Sequence, residues 1–289
     1  MTIKKQVSLH GLRAFLSAKD DLVAKSTVAT GGEDKPTIIL PGSHDYSALF
    51  DDFLGDLIGD EWAYVEGDTG YANAIQTGTN GVTRITGSET NGVSPSECAA
   101  ITQGLVKNWK ADMGPGSMKT DRRLRMSARL KFDSISRAAE GGRTYVYVGF
   151  GDSGGAEFPV YDTGAGMISN AADLVGFVFG AGGDTGWSLV AAKSIAGDSG
   201  DQLVVAGASY APVANTYQTL EVEVRSGLSD TGGQAFFWID GKLVGRIASP
   251  VASTVALTPW IGTWCQDTGY AQTLDVDYVA ASGRRDTGL

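Results

Sequence analysis

The sequence predicts an all-β protein, an antiparallel β-sandwich preceded by an N-terminal arm with one short amphipathic helix. Three observations carry this. Strand-length stretches of alternating or apolar residues recur every ten to fifteen residues through the C-terminal half. Turn signals separate them, and no helix-length segments intervene as βαβ units would require. The 289 residues include 40 glycines, which fall in pairs at turn-like places rather than at a fixed period. A chain of this length also buries a sizeable core without cross-links.

The arm, residues 1–45, comes first. In "QVSLHGLRAFLSAKDDLVAKSTVAT", Leu9, Leu12, Phe15, Leu16 and Val23 recur at three- and four-residue spacing, the period of an amphipathic helix. Ser8 is placed to cap its start, and the "TGG" at Thr30 ends the pattern. Pro36 and Pro41 then bracket an extended apolar piece with Ile38, Ile39 and Leu40. Leu9, Leu12, Phe15, Leu16, Ile38, Ile39 and Leu40 are the residues an arm of this kind would lay on a partner. Packing on its own body is the equal alternative.

Residues 46–289 form the sandwich. "SALFDDFLGDLI" is a helix or loop leading in; "WAYVEG", "AIQTGT" and "GVTRITG" read as strands. "SECAAITQGLVKNW" reads as a strand plus linker. In "RRLRMSARLKFDSI", Leu124, Met126, Ala128, Leu130 and Phe132 alternate with Arg123, Arg125, Arg129 and Lys131, as expected of a half-buried strand with a charged outer face. Eight more strands follow: "RTYVYVGFG", "DLVGFVFGA", "GWSLVAAKS", "QLVVAGAS", "YQTLEVEVRSG", "QAFFWIDGKLVGRIAS", "ALTPWIGTWCQ" and "QTLDVDYVAASG". The sixth is a hairpin turning at Asp240-Gly241.

Charge and composition exclude several functions. The net charge is −10, with about +3 in residues 1–25 and −13 in the rest. An acidic body disfavours general nucleic-acid binding. No apolar run reaches the length of a membrane span, and no signal-peptide core stands at the N-terminus. Cys98 and Cys265 read as two thiols made in a reducing compartment, with a single bridge between them left open.

The string "GDSGG" at Gly151–Gly155 also surrounds the nucleophile of trypsin-like proteases. Ser153 would need a base, and neither histidine, His10 nor His44, stands in the context that family uses. "GGDTGW" and "GDSGDQL" repeat the same Asp, Ser and Gly chemistry, which marks a style of turn. No metal-ligand spacing of His or Cys is present, no phosphate-binding loop, and the "GDTG" pieces read as turns rather than calcium loops. The expectation is therefore no catalytic residue, metal or cofactor. Trp187, Trp238, Trp260 and Trp264 are candidate sugar-stacking residues, although Trp238 and Trp260 lie in apolar strands where core packing is expected.

The last 75 or so residues resemble a concanavalin A-like, or laminarinase-like, jelly roll. The resemblance lies in the hairpin Phe237–Val244, the proline-led strand Pro259–Thr263 and the closing strand Asp275–Val279. Hydrolases of that type carry two glutamates and an aspartate alternating on one strand. That triplet is absent here; the nearest strings, at Glu221 and Asp275, have two acids each, and alternating acids are expected to face solvent. The resemblance thus implies the fold without that chemistry. The chain combines an apolar-faced arm, a sandwich without that triplet and an acidic body, and its stretch "HDYSALFDDFLGDLIGDEWAYVEGDTG" resembles the start of phage structural proteins. In overall style it is similar to tailed-bacteriophage virion proteins, especially capsid decoration proteins. This implies a non-enzymatic shell component made in the host cytoplasm, bound to a major capsid protein and to its own copies as a homotrimer. The alternative is a carbohydrate-binding, lectin-like module on a phage fibre or cell surface, with surface glycans as partners.

Overall fold

A computed structural model describes residues 28–30, 36–38, 46–53, 62–66, 72–76, 81–87, 98–102, 109–111, 123–132, 144–152, 159–162, 167–169, 171–181, 184–193, 202–205, 210–225, 233–251, 255–265 and 273–284. Ser153 and the predicted helix residues Leu9, Leu12, Phe15 and Leu16 lie outside the described residues, as do Ile39 and Leu40.

Twenty strands are described. The first eight are β1 (Val28–Thr30), β2 (Pro36–Ile38), β3 (Tyr46–Asp51), β4 (Ala63–Glu66), β5 (Ala72–Gln76), β6 (Val82–Thr86), β7 (Cys98–Thr102) and β8 (Trp109–Ala111). Then come β9 (Arg123–Phe132), β10 (Thr144–Gly151), β11 (Val160–Asp162), β12 (Met167–Ser169), β13 (Leu174–Ala181) and β14 (Ser188–Ala192). The last six are β15 (Gln202–Val205), β16 (Gln218–Arg225), β17 (Gln234–Ile239), β18 (Lys242–Ala248), β19 (Val255–Cys265) and β20 (Thr273–Arg284).

Two pairs, β1–β2 and β11–β12, form separate two-stranded sheets, and the other sixteen strands build two eight-stranded antiparallel sheets. The first runs β18-β17-β16-β9-β20-β6-β5, with β3 also paired to β20; the second runs β15-β14-β13-β10-β19-β7-β4, with β8 also paired to β19. Sequential strands alternate between the sheets in places, so the core fills from both sides. The inner face of the first sheet supplies Leu124, Met126, Ala128, Leu130, Phe132, Leu220, Val222, Val224, Phe237 and Ile239. The second supplies Val146, Val148, Phe150, Val175, Phe177, Phe179, Leu189 and Ile261. Phe177 meets Phe237 edge-on at 5.3 Å between ring centres, joining one sheet to the other. Trp187 sits among Phe132, Phe177 and Phe179 at 5.6–6.0 Å. Its indole nitrogen donates to Gln218 Oε1 at 3.1 Å, which removes the cost of burying that N–H.

The β9 alternation is as expected: its five apolar residues are buried in the core and Arg125, Arg129 and Lys131 face outward. The β17–β18 hairpin also turns where expected. Asp240 (φ 50°) and Gly241 (φ 76°) both take the left-handed conformation, which two-residue hairpin turns of the primed type demand. Asp240 Oδ1 accepts from the Thr219 amide at 2.8 Å, and the Asp240 amide donates to the Thr219 carbonyl at 2.9 Å. The turn is thereby tied to the start of β16.

Two expectations are corrected. Ser47–Asp51, the start of the stretch read as a helix or loop, belongs to strand β3, because its pairing with the long β20 supplies backbone partners that a local helical pattern cannot outweigh. Val28–Thr30, read as the tail of the helix, is strand β1, paired with Pro36–Ile38. The second pairing places Ile38 opposite Val28 of the same arm. Cys98 stands opposite Trp264 on β19, one residue out of step with Cys265.

Candidate functional site: the outer face of the first sheet

Alternation on β9, β16, β17 and β20 throws a second set of side chains to the outer face of the first sheet. They form a row of ion pairs. Arg84 on β6 donates twice to Asp275 on β20, Nε to Oδ1 at 2.6 Å and Nη2 to Oδ2 at 2.9 Å. Lys131 on β9 reaches Asp275 Oδ2 at 3.3 Å. Arg129 pairs with Asp277, and Arg125 Nη2 donates to Glu221 Oε1 at 2.6 Å. On β16, Arg225 clasps Glu223 two residues before it, with both bonds at 2.8–2.9 Å.

These carboxylates are not the solvent-facing acids that alternation alone suggests. Glu223 is 2 % exposed and Asp275 6 %. Each acid instead stands within bonding reach of a basic side chain on its own or a neighbouring strand, whose charge compensates its burial. The titration directions follow. Burial pushes Asp275 up, but the bonds and charges of Arg84 and Lys131 outweigh it and hold the carboxyl below its usual range. Burial raises Glu221 against the opposing pull of Arg125.

Aromatic rings flank the row. Tyr217 lies under the Arg129 guanidinium at 4.4 Å and the Lys131 ammonium at 5.1 Å. Phe236 and Trp238, two residues apart on β17, stack outward with ring centres 5.9 Å apart and planes 23° from parallel. Trp238 was expected in the core. It faces out because Ala235, Phe237 and Ile239 hold the inner positions of that strand, and a period of two leaves Trp238 on the other side. The apolar run "AFFWI" hides this alternation, since both faces carry hydrophobic residues; only the register against β16 reveals it.

The outer face of the second sheet is different. Tyr145, Tyr147, Trp260 and Trp264 all lie there at 3 % exposure or less, packed with Val160, Ala171, Val178 and Val190. Tyr145 stacks on Trp264 at 5.3 Å, and Tyr147 meets Trp260 edge-on at 5.9 Å. Trp260 is buried as expected, though in this second cluster rather than between the sheets. Trp187 and Trp264 are equally enclosed.

The "GDSGG" aspartate closes the same layer. Asp152 ends β10, its amide donates to the Asp173 carbonyl at 2.9 Å, and its carboxylate accepts from the Asp173 and Ala172 amides. Burial, with the Asp173 charge nearby, raises its pKa. The motif's Asp therefore pins the approach to β13. Asp184, in the second turn of this style, likewise accepts from the Gly180 amide at 2.7 Å. Among the described residues no three His, Cys, Asp or Glu side chains gather as a metal site.

No protein-family profile matches this chain, and no curated protein sequence matches it. Solved structures do. An endo-β-galactosidase from Clostridium perfringens that releases GlcNAcα1-4Gal superposes with a TM-score of 0.52 at 13% identity, over 83% of this chain and 64% of that one. An endo-1,3-β-glucanase from Streptomyces sioyaensis superposes at 0.50 with 14% identity, over 84% and 99% of the two chains. An endo-β-1,4-glucuronan lyase from Trichoderma reesei gives 0.50 at 11% identity, over 82% and 95%. At such identities the likeness is one of fold. The chain is an antiparallel β-sandwich with the concanavalin A-like jelly-roll fold, as the resemblance of its last strands implies.

Proposed function

We propose that this chain is a non-enzymatic structural protein, a virion component of the capsid decoration type that binds a phage head shell through its arm and its jelly-roll interfaces. The observation that carries the non-enzymatic part is the ion-pair row. A retaining glycosidase needs one carboxylate free to attack and a second free to donate a proton, about 5 Å apart. Here Glu221, Glu223, Asp275 and Asp277 are each held by an arginine, which favours a structural use over a chemical one. The other outer face is filled by packed tyrosines and tryptophans. The virion part rests on the similarity in style and on the division into a basic arm and an acidic body. A closed trimer around a symmetry axis would suit such a shell protein.

The test is sedimentation of native material through a density gradient, with each fraction blotted for this chain. Co-migration with megadalton particles is the expected result; recovery only as a free monomer or small oligomer would overturn the shell role. A chain lacking residues 1–45 is expected to drop off the particle, and full occupancy by that chain would remove the arm from the proposal.

One observation favours the lectin-like alternative on a fibre or cell surface: the Phe236–Trp238 stack faces outward, where a core aromatic pair would not.

A further inference from the structure

We infer that Phe236, Trp238 and Arg246 form a binding platform for an acidic saccharide, a glycan containing uronic acids. The inference rests on the carbohydrate-binding reading just given and names its ligand class. It is independent of whether the chain also sits on a shell.

Three features converge. The first is shape. The two rings lie against each other, 5.9 Å between centres and 23° from parallel, so what they offer a sugar is one ring face and the neighbouring ring edge, which suits the C–H face of a single pyranose ring. The register shift between Phe237 and Trp238 lets β18 slip past β17 at this point, and such a bulge re-aims side chains. Leu243, opposite Trp238, is 42% exposed and extends the apolar surface.

The second is charge. Arg225 and Arg246 both lie over the Phe236 ring, at 4.2 and 5.1 Å. They are not equivalent. Arg225 is neutralised by its two bonds to Glu223. Arg246 stands directly opposite Phe236 and is exposed. Among the described residues no carboxylate pairs with it, in a chain whose net charge is −10. A planar guanidinium offers two parallel donors to a carboxylate.

The third is position. The patch lies on β18 and β17, which end the strand order of the first sheet among the described residues, so a saccharide laid across it would cross the last two strands of that order. A neutral glycan would offer the guanidinium only hydroxyl oxygens; a uronate offers it a carboxylate, which accepts two parallel charge-assisted bonds.

The experiment is calorimetric titration of the full chain with a panel of galacturonate, glucuronate and mannuronate hexamers, beside neutral glucan and galactan hexamers. Binding of at least one uronate hexamer is expected, weakened by salt. Trp238→Ala is expected to lower that affinity about tenfold or more, the scale of a stacked anchor. Arg246→Gln, at an exposed position, is expected to keep the melting temperature and lose about fivefold for the uronate alone. Equal binding of neutral hexamers, lost in Trp238→Ala and unchanged in Arg246→Gln, would retain sugar binding and overturn the acidic class. Absence of binding across the panel would overturn both readings. Uronate binding that both variants retain would place the site elsewhere and remove this platform.

Discussion

The two sheets share a core but use their outer faces in opposite ways. On the first sheet Arg84, Arg125, Arg129 and Arg225 bind acids on adjacent or same-strand positions. On the second, tyrosines and tryptophans bury themselves over glycines. Gly149 and Gly176 face each other across β10 and β13, and the Tyr147 ring lies over both: a Cβ on Gly176 would stand 2.9 Å from that ring and from the Gly149 Cα. Charge makes one layer and close packing the other. The lesson is that a sandwich can cover its outside with either chemistry, and the two will fail under different perturbations.

The largest effect should come from the packed face. Trp260→Ala removes a fully buried indole and its edge contact with Tyr147. It should cost about 3–5 kcal/mol in urea unfolding, the usual range for such truncations. A loss below 1 kcal/mol would mean that the second cluster adds little to the fold. Next is Gly176→Ala. Its new methyl would meet the Val148 carbonyl oxygen at 2.6 Å, so backbone must move, at about 1–3 kcal/mol.

Charge governs the third prediction. Asp275→Asn should cost about 1–3 kcal/mol at pH 7 by putting a neutral amide where Arg84 and Lys131 meet a carboxylate. Its dependence on pH has a definite sign. The folded pKa of Asp275 lies below its ordinary 3.8, so its contribution is fully present above that value and fades as pH falls through the folded pKa. The gap between wild type and Asp275→Asn should therefore narrow on acidification below about pH 4. Trp260→Ala should show the same deficit at both pH values. A constant gap for the Asp275 variant would dissolve the contrast between the faces.

The smallest effect isolates conformation from contact. A Cβ at Gly241 would meet nothing within 4 Å, yet its φ is 76°. Gly241→Ala should cost only about 1 kcal/mol, the backbone penalty of the left-handed turn.

Much of the fold was legible in the sequence because period two survives wherever one face is apolar and the other charged. β9, read residue by residue as Leu124 to Phe132 inward and Arg125 to Lys131 outward, is the clearest case. The Asp240-Gly241 turn was legible for another reason: few residue pairs accept two successive positive φ angles. Trp238 was misread because "AFFWI" carries hydrophobic groups on both faces. β3 was misread because its helical-looking pattern is local, whereas its partner β20 lies more than 220 residues away in sequence.

By itself the sequence determined the class of fold, through alternation and turn chemistry, both of which act over a few neighbouring residues. It also determined that "GDSGG" lacks a histidine in a fitting context. Only the tertiary structure decided which acids meet which arginines, since Arg84–Asp275 and Arg125–Glu221 are separated by 191 and 96 residues. It also decided that Trp260 and Trp264 are enclosed while Phe236 and Trp238 face outward. Those outcomes depend on strand order and register, and register is set by the fit of whole sheets rather than by any local stretch of chain.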